Sequence, residues 1–199
     1  MSIPASVTLH DGSRVALRPI RPSDASALRA MFHRLSAESR YQRFFAVFND
    51  LSPAMLSYLT DVDGDHHIAL IAVVPDAGGE RIVGVARAVR DADQRDVAEA
   101  ALTVADDMQR RGLGTRLLAE LSHVARARGV RRFRLEVKRD NAAMRRLVAE
   151  ADGAMVGATG ADITFEVELR RSPARILLHL IASQTRAFFA LLAPPDAHV

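Results

Sequence analysis

The sequence contains no cysteine, which excludes a disulfide scaffold, a thiolate metal site and a cysteine nucleophile. Lysine is nearly absent as well: Lys138 is the only one, so almost all of the positive charge is on arginine. Because arginine stays charged far above neutral pH, the pI of about 10.1 overstates the basicity at pH 7, where the net charge is +3. Such a charge does not by itself indicate nucleic-acid binding, and we expect no nucleic-acid partner.

Long hydrophobic runs are also missing. The most apolar region, residues 176–193, is interrupted by a polar stretch at residues 183–186, whereas a bilayer span needs about 20 uninterrupted apolar residues. The N-terminus has neither a basic start nor an apolar stretch, so no targeting segment is recognisable. We therefore expect a cytoplasmic protein that has no membrane partner.

The composition is that of a folded chain: 199 residues, of which 49% are hydrophobic and 26% charged. This suffices for one domain with a real core. We assign residues 1–171 to that domain and residues 172–199 to an amphipathic C-terminal helix and tail. The apolar face of this tail must be covered, and packing on the chain's own domain or a homodimer contact would both achieve that.

Hydrophobic periodicity predicts one mixed α/β domain, with a central mixed sheet flanked by helices. The predicted order is a hairpin, helices, three strands, a helix, a strand, a helix and two strands. The corresponding residues are 7–20, 21–35, 37–48, 52–60, 67–74, 81–89, 98–104, 113–128, 132–138, 141–151 and 154–169.

The stretch that is most informative about chemistry runs from Val104 to Thr115, where a strand ends, a short loop turns and a long helix begins. Gly112 and Gly114 remove side-chain bulk, so an anion can approach the backbone. The first helical turn offers unpaired N–H groups at the positive end of the helix dipole. This combination predicts a pyrophosphate site. The stretch is neither a dinucleotide fingerprint, which needs a third glycine, nor a P-loop, which needs Gly-Lys-Ser/Thr.

Residues 109–114, Gln-Arg-Arg-Gly-Leu-Gly, match the signature Gln/Arg-x-x-Gly-x-Gly/Ala, and the sequence resembles the GNAT family of N-acetyltransferases over roughly residues 17–169. The resemblance implies an α/β (mixed α+β) acyl-CoA N-acyltransferase fold that binds acetyl-CoA as co-substrate and no metal. The strand edge at residues 102–104 would pair with the pantetheine arm, and the Val104 N–H would polarise the thioester carbonyl. The implied cofactor-binding residues are Leu102, Thr103, Val104, Gln109, Arg110, Arg111, Gly112, Leu113, Gly114, Thr115 and Asn141.

A narrower resemblance rests on three further segments. They are Ser36-x-x-Ser39-x-Tyr41-x-Arg43-Phe44-Phe45, the strand at residues 98–104, and Asn141-x-x-Met144-Arg145-Arg146-Leu147. Together they look like the catalytic domain of the bacterial Pat-type protein lysine acetyltransferases. This likeness implies that the acceptor is a protein lysine side chain.

Transfer to an amine requires the neutral amine, whereas a lysine side chain with a pKa of about 10.4 is mostly protonated at pH 7. A base or a water relay must therefore remove a proton. The Pat-like resemblance assigns this role to Glu99, which lies in an otherwise apolar strand five residues before Val104. We expect burial to raise the pKa of Glu99. Many relatives have a tyrosine as general acid at the position of Val148, so in this chain no tyrosine fills that role.

Two other features are assigned to structure. The acidic loop 61–67 fails the calcium-loop pattern, since its sixth position is His66 and its twelfth is Ala72. We interpret it as a surface loop that could help recruit a basic substrate segment. Tyr41, Phe44 and Phe45 are interpreted as core and as wall of the acceptor groove.

The sequence therefore predicts an acetyl-CoA-dependent N-acetyltransferase that modifies protein lysines by direct transfer in a ternary complex. A small-molecule amine as acceptor remains an alternative, because acceptor specificity resides in loops. A non-catalytic module that binds acetyl-CoA as a signal is the second alternative.

Overall fold

The computed structural model describes residues 6–44, 49–139, 145, 149, 153–160 and 162–169. The order of its elements agrees with the order predicted from periodicity. The strands are β1 (Val7–Thr8), β2 (Arg14–Pro19), β3 (His67–Asp76), β4 (Gly79–Arg90), β5 (Val97–Val104), β6 (Arg132–Lys138), β7 (Ala154–Thr159) and β8 (Asp162–Glu168). The helices are α1 (Ala25–Arg34), α2 (Ala37–Phe44) and α3 (Pro53–Thr60), which precede β3, and α4 (Leu113–Ala127), which joins β5 to β6.

Three predicted segments lie partly or wholly outside the described residues. α2 is described as far as Phe44, so its predicted extension to residue 48 is not covered. Of the predicted helix 141–151 only Arg145 and Ala149 are described, and Asn141 is not among them. Residues 172–199 also lie outside, so the division into domain and tail stays a prediction.

The described strands form one sheet in the order β1-β2-β3-β4-β5-β6-β8-β7. Neighbouring strands are antiparallel except β5 and β6, which run parallel because α4 carries the chain back across the sheet. The predicted mixed α+β architecture, with a central mixed sheet flanked by helices, is thus confirmed.

The two faces of the sheet carry different helices. α4 packs on one face through its apolar stripe, of which Leu117 and Leu121 are fully buried. Gly84 of β4 lets α4 lie close, because a Cβ at that position would be 2.7 Å from Leu117 Cδ1. Side chains alternate along a strand, so Val85 and Arg87 point to the opposite face, where α1 contacts β4.

Candidate active site

The loop between β5 and α4, where the sequence predicts the diphosphate site, contains two residues in the left-handed backbone region. Gly112, directly before α4, adopts a left-handed φ of 84°, and Arg110 has a φ of 61°. Gly112 is also the N-cap residue of α4, and because it has no side chain it cannot cap the amides of the first turn. The amides of this turn, at the positive end of a 15-residue helix, therefore fit an anion held by backbone N–H groups.

The side chain of Gln109 turns back into the loop. Its Nε2 donates a hydrogen bond to Asp106 Oδ1 at 3.0 Å and another to the Val104 carbonyl at 3.3 Å. The side chain therefore stiffens the loop, which leaves the backbone of Gln109 for the predicted contact with the cofactor.

Asp106 connects this loop to α2. Its carboxylate accepts hydrogen bonds from the Ser36 amide at 2.6 Å and from the Ser39 hydroxyl at 2.5 Å. Ser36 Oγ in turn accepts from the Ser39 amide at 3.1 Å. The two serines of the Pat-like motif thus hold the start of α2 against the cofactor loop. Sequence reasoning missed their partner, because an acidic residue in a loop carries no distinctive signal.

The β1–β2 hairpin covers another side of the loop. The His10 amide donates to the Arg111 carbonyl at 3.0 Å, and the Arg111 guanidinium forms a salt bridge with Asp11 at 2.9 Å. A Cβ at position 112 would lie 2.7 Å from His10 Nε2. Gly112 is therefore needed for this close approach as well as for its left-handed backbone. The sequence gives no local signal for His10, because its contact spans most of the domain.

β5 and β6 are paired at one end only. Residues 97–99 align with residues 132–134, and no further β5–β6 pairing occurs among the described residues. β5 continues to Val104 and β6 to Lys138. The two strands therefore part at the β5 edge formed by Leu102, Thr103 and Val104, where the family resemblance places the pantetheine arm.

Glu99 is the last residue of β5 that pairs with β6, and it is half-buried, with its Oε2 shielded from solvent. A rise of about 3.3 Å per residue separates Glu99 from Val104 by about 16 Å along the strand. A base at Glu99 would therefore act on an amine at the thioester end through water. Burial raises the pKa of the neighbouring Tyr58 hydroxyl, an effect that Arg87 opposes and Glu99 adds to.

Two buried arginines lie on the same face of the sheet as Glu99. Arg87 of β4 is aligned with Ala101 of β5, and Arg43 projects from α2. Burial lowers the pKa of Arg43 to about 10, and burial followed by the charge of Arg43 lowers the pKa of Arg87 to about 9. Both therefore remain protonated at neutral pH. Sequence reasoning missed Arg87, although a charge within an otherwise apolar strand was a usable signal.

A pocket lies between these arginines and the helices α1–α3. Thr103, one of the predicted cofactor-binding residues, also lines it. The remaining lining is apolar and includes Leu28, Met31 and Phe32 of α1, Leu35 directly after it, and Leu59 and Val85.

Other expectations concern the surface. Asp63 of the acidic loop accepts hydrogen bonds from the amides of Asp65 and His67, at 2.8 and 2.9 Å, and no cluster of three metal-ligating side chains occurs among the described residues. Of the helices that the structure describes, none is long and apolar enough to cross a membrane.

Tyr41 is exposed, and Lys138 Nζ lies 5.8 Å from its ring centroid, which brings α2 to the end of β6.

A parallel crossover whose loop suits a diphosphate, next to two strands that part, is the architecture of an acyl-CoA-dependent acyltransferase. The comparisons agree, because the acetyltransferase (GNAT) family model matches residues 28–154. Acetyltransferase PA5475 of Pseudomonas aeruginosa is 36% identical over 140 residues, which cover 70% of this chain and 75% of that protein. The chain belongs to the GNAT family and is an acetyltransferase, as predicted from residues 109–114.

Pat proteins are similar to the chain as well. Acetyltransferase Pat of Mycolicibacterium smegmatis is 34% identical over 146 residues, which cover 73% of this chain and 43% of that protein. The crystal structure of the GNAT domain of S. lividans Pat superimposes with a TM-score of 0.74 at 31% identity, covering 84% of this chain and 99% of that domain. The predicted likeness to Pat-type catalytic domains is thereby confirmed.

Proposed function

We propose that this acetyltransferase transfers the acetyl group of acetyl-CoA to protein lysine side chains, directly in a ternary complex and in the cytoplasm. The observation that carries the proposal is the left-handed loop at the start of α4, next to an open strand edge on β5. The similarity to two Pat proteins, at 31% and 34% identity, supports protein lysine as the acceptor. Acetyl-CoA, when bound, supplies the activated thioester carbonyl.

Each predicted site residue then has a role. The backbone of residues 109–115 holds the diphosphate, and the edge of β5 at Leu102 and Thr103 receives the pantetheine arm. The Val104 N–H donates to the thioester oxygen and stabilises the negative charge that develops there. Glu99 accepts the proton of the acceptor amine through water. Asn141, which lies outside the described residues, is proposed to contact the cofactor.

Release of free thiol from acetyl-CoA tests this proposal. We expect release to depend on a lysine-containing protein and to fall by about a hundredfold or more in Glu99→Gln. Glu120→Gln, the same change on α4, serves as the control with an unchanged rate. Binding of acetyl-CoA in calorimetry without release from any amine would overturn the enzymatic proposal. A wild-type rate in Glu99→Gln would overturn the role of Glu99 alone.

A small-molecule amine is the second candidate acceptor. The observation in its favour is the pocket on the α1–α3 face, whose mostly apolar lining includes the two arginines Arg43 and Arg87, since small-molecule sites commonly combine apolar walls with a few polar groups. Thiol release with small amines but not with proteins would favour this candidate over protein lysine.

We also propose that residues 172–199, which lie outside the described residues, form a homodimer contact through their apolar face. Deletion of residues 173–199 should then reduce the mass of the particle in light scattering. A soluble truncated protein of the same assembly state would contradict the contact.

A further inference from the structure

The pocket on the α1–α3 face contains a buried positive charge with no salt bridge. Arg87 is only 2% exposed, and no carboxylate of the described residues lies within salt-bridge distance of it. Its Nη2 donates to the Leu59 carbonyl at 2.9 Å, and its Nη1 lies 2.5 Å from His67 Nε2. Its Nε is buried and has no hydrogen-bond partner among the described residues.

His67 does not supply the missing negative charge. Since a guanidinium has only donors, His67 Nε2 must be the acceptor, which makes this imidazole neutral and protonated at Nδ1. Burial, followed by the charge of Arg87, lowers the pKa of His67 to about 3. Arg87 is therefore held by two neutral acceptors, the imidazole and the Leu59 carbonyl.

Arg43 brings a second cation to the same pocket. It is 7% exposed, and its charge acts directly on Arg87. An anion bound beside Arg87 would therefore be attracted by the charge of Arg43 as well. Because most of the remaining lining is apolar, the pocket suits a ligand with an apolar body and an anionic end.

The position of the pocket relates it to acetyl transfer. Arg87 is aligned with Ala101, which lies between Glu99 and Thr103 on the same face of β5. Diagonal neighbours across an antiparallel pair are about 7–8 Å apart, so Arg87 lies that far from Glu99. Because Thr103, the neighbour of Val104, lines the pocket together with Arg87, an acceptor whose amine lies at the thioester end of β5 would bring a group several bonds away from that amine to Arg87.

We propose that this pocket binds a carboxylate carried by the acceptor, with Arg87 and Arg43 as its cationic partners. The inference rests on the proposed acetyl transfer and names its substrate class: an amine with a carboxylate a few bonds away. That carboxylate belongs either to a small amino acid or to an acidic side chain next to the target lysine of a protein. Arg87 Nε is the donor that such a carboxylate would satisfy.

Matched substrates test the proposal on the unaltered protein. 4-Aminobutyrate and 6-aminohexanoate are each compared with their uncharged amides, and lysine peptides flanked by glutamate are compared with the same peptides flanked by glutamine. In each pair that the enzyme acetylates, we expect kcat/KM to be at least about tenfold higher for the carboxylate than for its uncharged counterpart. The first set reports on a small amino acid, and the second on an acidic neighbour in a protein. Equal kcat/KM in every pair would overturn the proposal.

Variants locate the effect. Arg87→Gln should abolish the preference for the carboxylate, whereas Arg14→Gln, which removes the same charge at an exposed position on β2, should keep it. Thermal unfolding and acetyl-CoA affinity show whether each variant is folded. If Arg87→Gln does not fold, the matched substrates still test the proposal on the wild-type protein. A preference that persists in folded Arg87→Gln would also overturn the proposal.

Binding of pentanoate, followed by calorimetry, separates this inference from the proposed function. We expect pentanoate to bind the wild-type protein and Arg14→Gln, and not Arg87→Gln. Turnover of amines without any preference for carboxylates would overturn the proposed carboxylate site and leave the proposed acetyl transfer intact. Arg87-dependent binding of pentanoate, without turnover of any amine, would keep the anion site and overturn the proposed function.

Discussion

The Ser39 hydroxyl donates a hydrogen bond of 2.5 Å to the Asp106 carboxylate, and this bond joins α2 to the loop that precedes α4. The same carboxylate accepts from the Ser36 amide and from the Gln109 side chain. α2 carries Arg43 into the pocket that we propose for the acceptor, and Gln109 belongs to the predicted diphosphate loop. One side chain therefore holds the acceptor side and the cofactor side of the proposed site in register.

We predict that Asp106→Asn weakens the binding of acetyl-CoA and of the acceptor together. An asparagine at this position keeps one acceptor oxygen and turns an NH₂ donor toward groups that are donors themselves. KM for acetyl-CoA and for the acceptor should each rise by about fivefold, as expected for the loss of a charge-assisted hydrogen bond. Steady-state kinetics with both substrates varied measures the two effects.

Asp107→Asn is the matched control for this change. Asp107 pairs with Arg81 at 2.9 Å and is largely exposed, and exposed ion pairs contribute little. Both KM values should therefore stay close to those of the wild type. If Asp106→Asn behaves like Asp107→Asn, the carboxylate does not couple the two halves of the site.

Gly112 provides the second prediction. Gly112→Ala should destabilise the protein by about 1–2 kcal/mol through its left-handed backbone and should also displace the His10 ring. It should weaken binding of acetyl-CoA, and Gly112→Glu, with its bulk and negative charge near the diphosphate, should abolish it. Calorimetric titration with acetyl-CoA measures both variants.

Gly129→Ala is the control that separates the effect of backbone strain on stability from an effect on acetyl-CoA binding. Gly129 also has a positive φ, of 91°, but nothing lies within 4 Å of the position that a Cβ would take there. It should therefore cost a similar amount of stability and leave the affinity for acetyl-CoA unchanged. Equal affinity in Gly112→Ala and Gly129→Ala would remove Gly112 from the cofactor site.

Most of the fold can be predicted from the sequence, because helices and strands carry local periodic signals. The apolar stripe of α4 is an example, since Leu113, Leu117 and Leu121 recur at helical spacing and are buried together. The diphosphate loop is equally local: glycine spacing and a strand-to-helix junction occur within a dozen residues.

The polar groups around the site could not be predicted in the same way. Arg87 meets His67 because β3 and β4 pair in one particular register, and His10 meets Gly112 because the hairpin folds against a loop far along the chain. Periodicity indicates which face of a strand is buried, but it does not specify which strand lies next to it. Such contacts depend on topology, so they emerge only from the folded chain.

His67 leads to a prediction about pH. Its ordinary pKa of 6.5 is lowered to about 3 in the folded protein by burial and by Arg87. Between these values the unfolded chain binds a proton that the folded chain does not, so stability rises with pH. We expect the free energy of unfolding to fall as the pH is lowered from 6.5 toward 3, by at most about 1.4 kcal/mol per pH unit from this group. Urea denaturation between pH 7 and pH 5 keeps most carboxylates ionised and measures the slope.

His67→Gln should flatten this slope, since glutamine can accept from Arg87 without titrating. His66→Gln alters the adjacent histidine, which is 54% exposed, and should leave the slope as in the wild type. An identical slope in wild type and His67→Gln would show that His67 does not stay neutral in the fold.

Asp24 gives the last prediction. Its carboxylate accepts two hydrogen bonds from Arg18, both at 2.8 Å, and one from the Arg21 amide at 2.8 Å. The hydrogen bonds from Arg18 lower the pKa of Asp24 below its ordinary value of 3.8. A carboxyl with a depressed pKa contributes stability above its unfolded pKa and loses it as the pH falls through the folded value.

Asp24→Asn should therefore cost about 2 kcal/mol of unfolding free energy at pH 7, and the difference from wild type should shrink below about pH 4. Asp93→Asn, at an exposed position in the β4–β5 turn, is the control and should change stability little at either pH. Denaturant titrations of the three proteins at pH 7 and pH 3 make the comparison. A deficit in Asp24→Asn that is as large at pH 3 as at pH 7 would mean that the loss comes from packing at the start of α1 rather than from the ionised pair with Arg18.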